Sequence, residues 1–385
     1  MILKKCNSGI IISIFLILKP IYLWRSGGVQ LCDIFLLMST MFLFMKHKAV
    51  FSLDKRQIAP ISLFTGLCIY QLLVNTVWTG VLGDNLLKSS LYYAFNLIAF
   101  FDLIIIGNDI GIDSLKKSIA YGCLISLGIS SLGLILAGAG GRRVGFFNNP
   151  NQLGYYALVL FSLTFLCKDQ IKGFVFYLML ILSTWAIIAS GSKAAFIAVV
   201  GMYAIYIFSA DKRFSFKKII PRLIMLIVFS SAIYLFFFSD NKIVLSNPTI
   251  YFMRRRMLLM GTENDTALGT GRGYDRIFEI GFHFLWGMGE GANYRFNTMT
   301  GMEAHSSYVT LLVCYGLIGL FGYGKLLINC IIHRGYTVRN LFVFSGILFY
   351  GVSHNGLRNT LVWMLLALLL MDSVPAKKEN ASFIY

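Results

Sequence analysis

Apolar residues fill this chain in long unbroken runs, cut at intervals by short clusters rich in Lys, Arg, Asn and Gly. The runs show none of the strict alternation that a membrane β-barrel requires, and many approach the roughly 20 residues that a helix needs to cross a bilayer. The pattern predicts about 12 crossings. They fall at 9–24, 29–45, 58–80, 86–107, 118–139, 152–167, 171–190, 194–210, 220–239, 305–328, 340–353 and 357–371. The first follows Lys4 and Lys5 but lacks a small-residue cleavage site, so a retained helix is expected instead of a signal peptide. The expected fold class is all-α: one polytopic membrane helical bundle over 1–385, with a large polar loop, 240–304, between the ninth and tenth crossings.

Composition agrees with this reading. The chain is 57% hydrophobic and 13% charged, with a mean hydropathy of +0.72, so lipid must solvate most of it. The net charge of +17 does not signal nucleic acid, because the basic residues are spread over many short loops. With the N-terminus in the cytoplasm, Lys46, Lys48, Lys55, Arg56, Lys116, Lys117, Lys168, Lys172 and the clusters within 212–222, 334–339 and 377–378 all fall on the cytoplasmic side. Both termini are then cytoplasmic. This rule leaves Arg142, Arg143, Arg254 to Arg256, Arg272, Arg276 and Arg295 on the outer side unexplained, and an anionic ligand would explain them.

The seven cysteines form no CxxC pair, the five histidines no HExxH motif, and no Asp-x-Asp occurs. No disulfide framework, metal or cofactor is expected.

A loop as long as 240–304 is expected to be functional. It contains two helical patterns. One, around Tyr251 to Met260, carries three arginines and suits either the headgroup plane or a charged cap. The other runs from Arg272 to Trp286 and sets Arg272, Arg276, Glu279 and His283 at offsets of four, three and four, on one helical face. Two arginines near a helix N-terminus favour an anion; alternatively Arg276 pairs with Glu279 or Asp275. Gly287, Gly289 and Gly291 in GMGEG allow a tight turn or a close backbone approach. His305 opens the next crossing beside Glu303 and Ser306, as a base or as an interfacial cap.

Between the fifth and sixth crossings stands GRRVGFFNNPNQLG. Its asparagines can read sugar hydroxyls or close a turn around Pro150; the first role suits Asn148 and the second Asn149. Phe146, Phe147, Tyr155 and Tyr156 read as an interfacial belt, with sugar stacking as the alternative. Asp102, inside a crossing, is read as a helix contact or a snorkelling group.

Three elements in order, RRVGFFNNPNQLGYYAL, ASGSKAAFIAV and GTGRGYDRIF…GMGEG…AHSSYVTLLVCYGLIGL, resemble the O-antigen polymerase and O-antigen ligase superfamily of bacterial cell-envelope glycosyltransferases. The resemblance covers roughly Gly141 to Gly322. It implies a GT-C-like bundle in the bacterial inner membrane. The enzyme would act on oligosaccharides carried by undecaprenyl pyrophosphate at the periplasmic face, without metal or nucleotide-sugar. Membrane lipid, a chain-length regulator and a flippase of the same pathway are the implied partners.

The family's outer-loop arginine corresponds to Arg272 and its catalytic histidine to His305, with Glu303 as a candidate orienter. Arg142, Arg143, Asn148, Lys193 and Arg276 are the candidates for pyrophosphate and sugar binding. Lys193 stands where the family carries arginine, and lysine lacks the planar fork that grips phosphate. Polymerase is preferred over ligase because of the FFNNPNQLG form of the first loop. A lipid-linked sugar transporter is the minor alternative; against it, the polar residues gather on one face and no internal repeat is found.

Overall fold

The structure, a computed structural model, describes residues 2–25, 27–47, 53–138, 140–208, 242–260, 272–297, 301–332 and 337–372, with isolated helical positions between 224 and 236. Among the described residues the regular secondary structure is all helical, with no strand. Thirteen α-helices among the described residues run in chain order: α1 Ile2–Leu18, α2 Leu31–His47, α3 Lys55–Leu82, α4 Leu87–Ile110, α5 Ile112–Leu136, α6 Pro150–Leu166 and α7 Gly173–Ser190. Then follow α8 Lys193–Phe208, α9 Lys242–Ser246, α10 Pro248–Leu258, α11 Ser307–Ile331, α12 Thr337–Ser353 and α13 Thr360–Asp372.

Five of these, α3, α4, α5, α7 and α11, are long and apolar enough to cross a membrane. Shorter apolar helices lie at Ser8–Leu18, Leu31–Met45, Lys193–Tyr206, Val338–Ser353 and Thr360–Asp372. The expected ninth crossing, 220–239, lies largely outside the described residues. The first expected span, 9–24, is displaced: α1 ends at Leu18, because Pro20 removes a donor and disfavours helical geometry at Lys19.

Local chemistry sets several boundaries. Asp54 and Gln57 form a reciprocal capping box at the start of α3, and Gly83 closes it in the left-handed conformation. Asn149 caps α6 by accepting from the Asn151 amide, with Pro150 at the first helical position. The turn-building role expected of Asn149 is therefore the one it has.

Antiparallel packing of successive helices brings alternate connections to two opposite ends. At one end, Gln57 and Asn108 exchange hydrogen bonds at 2.8 and 3.0 Å, Gln170 donates to Asp113, and Asp372 pairs with Lys116 and Arg339. At the other end, the Tyr22 amide donates to the Phe146 carbonyl at 3.2 Å and the Arg143 amide to that of Ala189 at 3.0 Å. The first end carries Lys55, Lys116, Lys168 and Lys172, four of the lysines expected on the cytoplasmic side. Between the ends, α13 is buried from Thr360 to Met371 and packs on α4, α6 and α11. Asp102 is likewise buried, bonded to the hydroxyl of Thr40 on α2, so it is a helix contact.

The loop between α10 and α11 departs most from expectation. The run from Arg272 to Trp286 is not one helix but two short 3-10 turns, Tyr274–Phe278 and Gly281–Phe284. Gly273 and Gly281 adopt φ of +78° and +50°, and glycine inside a helix costs about 1 kcal/mol against alanine. The four polar residues consequently do not share a face.

What the loop gains is a seat against α11. That helix breaks at Gly316 (φ 64°), freeing carbonyls that would be costly at membrane depth. The Met288 and Gly289 amides donate to the carbonyls of Val313 and Cys314, both at 2.9 Å, and the Ile318 amide donates to that of Leu285 at 3.3 Å. Only glycines permit this approach: a Cβ on Gly316 would stand 2.4 Å from the Leu285 oxygen, and one on Gly287 2.3 Å from the Cys314 oxygen. The close backbone approach expected of GMGEG is thus made to the protein itself.

Gly316→Ala should destabilise the protein by at least about 1–2 kcal/mol from its left-handed φ alone. Gly324→Ala, in the same helix with nothing within 4 Å, should be neutral or mildly stabilising. Apparent melting temperatures of the two purified variants check this; equal values would mean the kink is not held by the loop.

Candidate active site

Beneath the loop, at the end of the bundle away from Asp372, lies a cavity of about 390 Å³. Its wall is assembled from distant segments. Lys19, Tyr22 and Gln30 come from the α1–α2 connection, Asp33 from the first turn of α2, and Tyr92, Phe95 and Asn96 from α4. Asn149, Asn151, Gln152, Tyr155 and Tyr156 come from the start of α6, and Glu303 and His305 from the threshold of α11. Tyr350 from the end of α12 and His354, Asn355, Arg358 and Asn359 from the α12–α13 turn complete it. A few convergent polar groups among aromatic walls, in a volume of several hundred Å³, are the usual make-up of a small-molecule site.

His305 is held by its backbone. Its amide donates to the Arg272 carbonyl at 3.2 Å, and the next residue, Ser306, caps α11 and reaches the Gly351 carbonyl at 3.2 Å. Among the described residues no hydrogen bond occupies the imidazole, which leaves it open to the cavity. Burial, and then the positive charge of Arg272, push its pKa below the ordinary 6.5, against a smaller opposite pull from Glu303. The ring is therefore neutral at pH 7 and able to accept a proton.

Glu303, expected to orient His305, has another partner. Both its oxygens accept from Arg358 Nη1, at 3.0 and 3.1 Å. A guanidinium fork outcompetes an imidazole for a carboxylate. Arg358 also pairs with Glu290 at 2.6 Å, and Glu290 accepts from the hydroxyls of Tyr93 (3.0 Å) and Tyr315 (2.7 Å). Burial alone would lower the Arg358 guanidinium, but Glu290 and Glu303 more than offset this and push it up, so it stays charged. The Glu290 amide donates to Asn75 Oδ1 at 2.8 Å, fixing the loop to α3.

The remaining expected residues divide into two groups. Arg142 donates to Asn151 Oδ1 and to the Ser190 carbonyl, and Arg272 donates to the Ser353 carbonyl at 3.2 Å. Both lie within electrostatic reach of Tyr350 on the cavity wall. Lys193, half-buried, opens α8 outside the cavity lining.

Three candidates serve the scaffold. Arg143 donates to the Thr249 hydroxyl and the Leu134 carbonyl. Asn148 donates to the Trp24 carbonyl at 2.6 Å and does not line the cavity. Arg276 lies outside that lining too, beside a smaller void that it borders with Glu303 and Arg358. It is 1% exposed, donates to the Met302 carbonyl (2.6 Å) and Asn293 (3.1 Å), and stacks over Phe296, because the 3-10 turn directs it inward.

Sequence reasoning passed over Arg358, His354 and Asn355. The signal was present: Arg358 is an arginine in a short turn between two apolar runs, on the side expected to be outer, the anomaly that singled out Arg142. Phe147, Tyr155 and Tyr156, read as an interfacial belt, line the cavity instead.

No family model, curated protein or solved structure matches the chain.

Proposed function

We propose that this chain is an O-antigen polymerase of the GT-C-like, twelve-crossing kind, set in a bacterial inner membrane with the cavity facing the periplasm. In this reading it moves a glycan from undecaprenyl pyrophosphate to a hydroxyl of another lipid-linked repeat. One observation carries the reading: a neutral, unoccupied His305 imidazole faces a cavity, with Arg272 accepting from the His305 amide through its carbonyl and Arg142 bonded to Asn151 of the lining, at the end of the bundle opposite Lys55, Lys116 and Lys172.

The chemistry needs little else. The acceptor oxygen bonds to the anomeric carbon as the bond from that carbon to the pyrophosphate oxygen breaks. The hydroxyl proton passes to His305, and the lipid pyrophosphate leaves as an anion. Pyrophosphate is a good leaving group, so fixed positive charge matters more than an acid, and arginine supplies it without titrating. A single displacement inverts the anomeric configuration.

The test is deletion of the gene in its host and sizing of the surface glycan on a gel. Loss of the ladder with one repeat still attached to the core supports polymerase. Loss of all attached repeats, with lipid-linked polymer accumulating, makes the protein a ligase that uses the lipid A core as acceptor. An unchanged ladder refutes both.

The depressed pKa of His305 also sets a pH dependence. At pH 6.5 more than half of His305 is already the base, so the acid limb of turnover by purified protein should be centred below pH 6.5. Removing the Arg272 charge in Arg272→Gln should move the limb of the residual activity to higher pH. A wild-type limb centred above 6.5 would exclude His305 as the base.

A further inference from the structure

Between Tyr274 and Tyr294 the loop leaves the mouth of the bundle, descends between α3 and α11, and returns. At its start the Tyr274 hydroxyl donates to the Val352 carbonyl, in the last turn of α12, and accepts from Ser306, the cap of α11. At its finish the Tyr294 hydroxyl donates to Asp84 in the α3–α4 connection. Midway, the Leu285 carbonyl accepts from the Ile318 amide at 3.3 Å, and the Trp286 carbonyl accepts from the Tyr70 hydroxyl at 2.7 Å.

Helices α3 and α11 are both long and apolar enough to cross a membrane, and each measures the depth of this dip. The interval from Tyr70 to Leu82, the last residue of α3, corresponds to about 18 Å at 1.5 Å per residue, and that from Ser307, the first of α11, to Gly316 to about 14 Å. Centred on a hydrocarbon core of about 30 Å, these helices would overhang it by about 4–6 Å at each end, which leaves the Trp286 carbonyl about 10–12 Å inside.

The side chains suit that depth. Phe278 and Phe282, 90% and 85% exposed, are the two most exposed large apolar side chains among the described residues. Leu285 and Trp286 follow them, and Leu73 and Val77 on α3 and Ile318 and Phe321 on α11 are exposed as well. The polar groups of the tip are turned the other way. Trp78 Nε1 donates to the Gly287 carbonyl at 3.1 Å, the Gly287 amide to the His283 carbonyl at 2.6 Å, and Trp286 Nε1 to His283 Nδ1 at 3.2 Å. Hydrocarbon tolerates irregular backbone only where its polar groups find partners within the protein, and these have found them.

We propose that residues 274–294 form a re-entrant loop in the leaflet on the cavity side, with Phe282 and Trp286 set among lipid acyl chains. Lipid hydrocarbon is the occupant of this face because the aromatic tip continues the exposed apolar surfaces of the two helices that hold it. The proposal stands apart from the reaction assigned to the cavity. Its consequence reaches the cavity, however: the returning arm carries Glu290, which pairs with Arg358 of the cavity wall, so lipid contact at the tip steadies that wall.

The test uses the full chain at one copy per nanodisc, in ordinary phosphatidylcholine and in phosphatidylcholine brominated along its acyl chains. The emission that Phe282→Trp adds to the wild type should be strongly quenched by the bromines and little affected by aqueous iodide. Asn297→Trp, at an exposed position beyond the return, should show the reverse. Trp286→Phe gives a second reading without an added side chain, and should remove a bromine-quenched component of the wild-type emission.

If iodide quenches the ring at position 282 and bromine does not, the loop faces water, and the proposal is overturned. If neither quencher reaches it in single-copy discs, another segment of this chain covers the tip, and lipid is the wrong occupant.

Discussion

Arg358→Ala should be the most damaging single change to stability, at about 3–5 kcal/mol. Glu290 is 4% exposed, and its carboxylate is satisfied by the Tyr93 and Tyr315 hydroxyls and by Arg358. The two hydroxyls are neutral donors. Without the guanidinium they leave a buried anion uncompensated, the most expensive kind of orphan in a low-dielectric interior. The loss would also free the loop: the same residue that Arg358 holds is anchored through its backbone to Asn75 and Ser89.

Removing both charges in Glu290→Gln/Arg358→Met should recover much of the loss, since the cost lies in the unpaired charge. Glu303→Gln, at an exposed partner, should cost no more than about 1 kcal/mol. Thermal unfolding of the purified variants in one detergent measures all three. A loss under about 1 kcal/mol for Arg358→Ala would mean that water already reaches Glu290.

His305→Ala should give the largest loss of turnover, about 10²- to 10⁴-fold, with donor binding retained. Its ring makes no hydrogen bond among the described residues, so the melting temperature should stay at the wild-type value. Glu303→Gln should be milder, because its carboxylate is engaged by Arg358. Polymer formation from a purified lipid-linked repeat is the assay. A loss below tenfold would assign the proton to water and leave the arginines as the main source of rate.

Hydrophobic runs are read directly from the chain because lipid solvation is a property of each segment by itself. The boundaries of α6, α12 and α13 fall close to those expected, and Asn149 before Pro150 marks a helix start through chemistry local to three residues. His305 and Glu303 were legible for a related reason: a polar pair just before an apolar run must sit at the mouth of a helix. The loop helix over Arg272 to Trp286 failed because its periodicity was sound but its glycines served another element, the broken helix α11.

By itself, then, the sequence determined an all-helical chain with membrane-length apolar helices, a lysine-rich end, and a histidine at the opposite threshold. Only the tertiary structure decided which arginine does what. Arg276, Arg358 and Arg142 look alike along the chain, yet the first is buried in the loop, the second bridges Glu290 and Glu303, and the third meets Arg256 at Gly191. The physical reason is that a guanidinium's role depends on what packing places around it. Those neighbours come from segments tens to hundreds of residues away, so no local pattern records them.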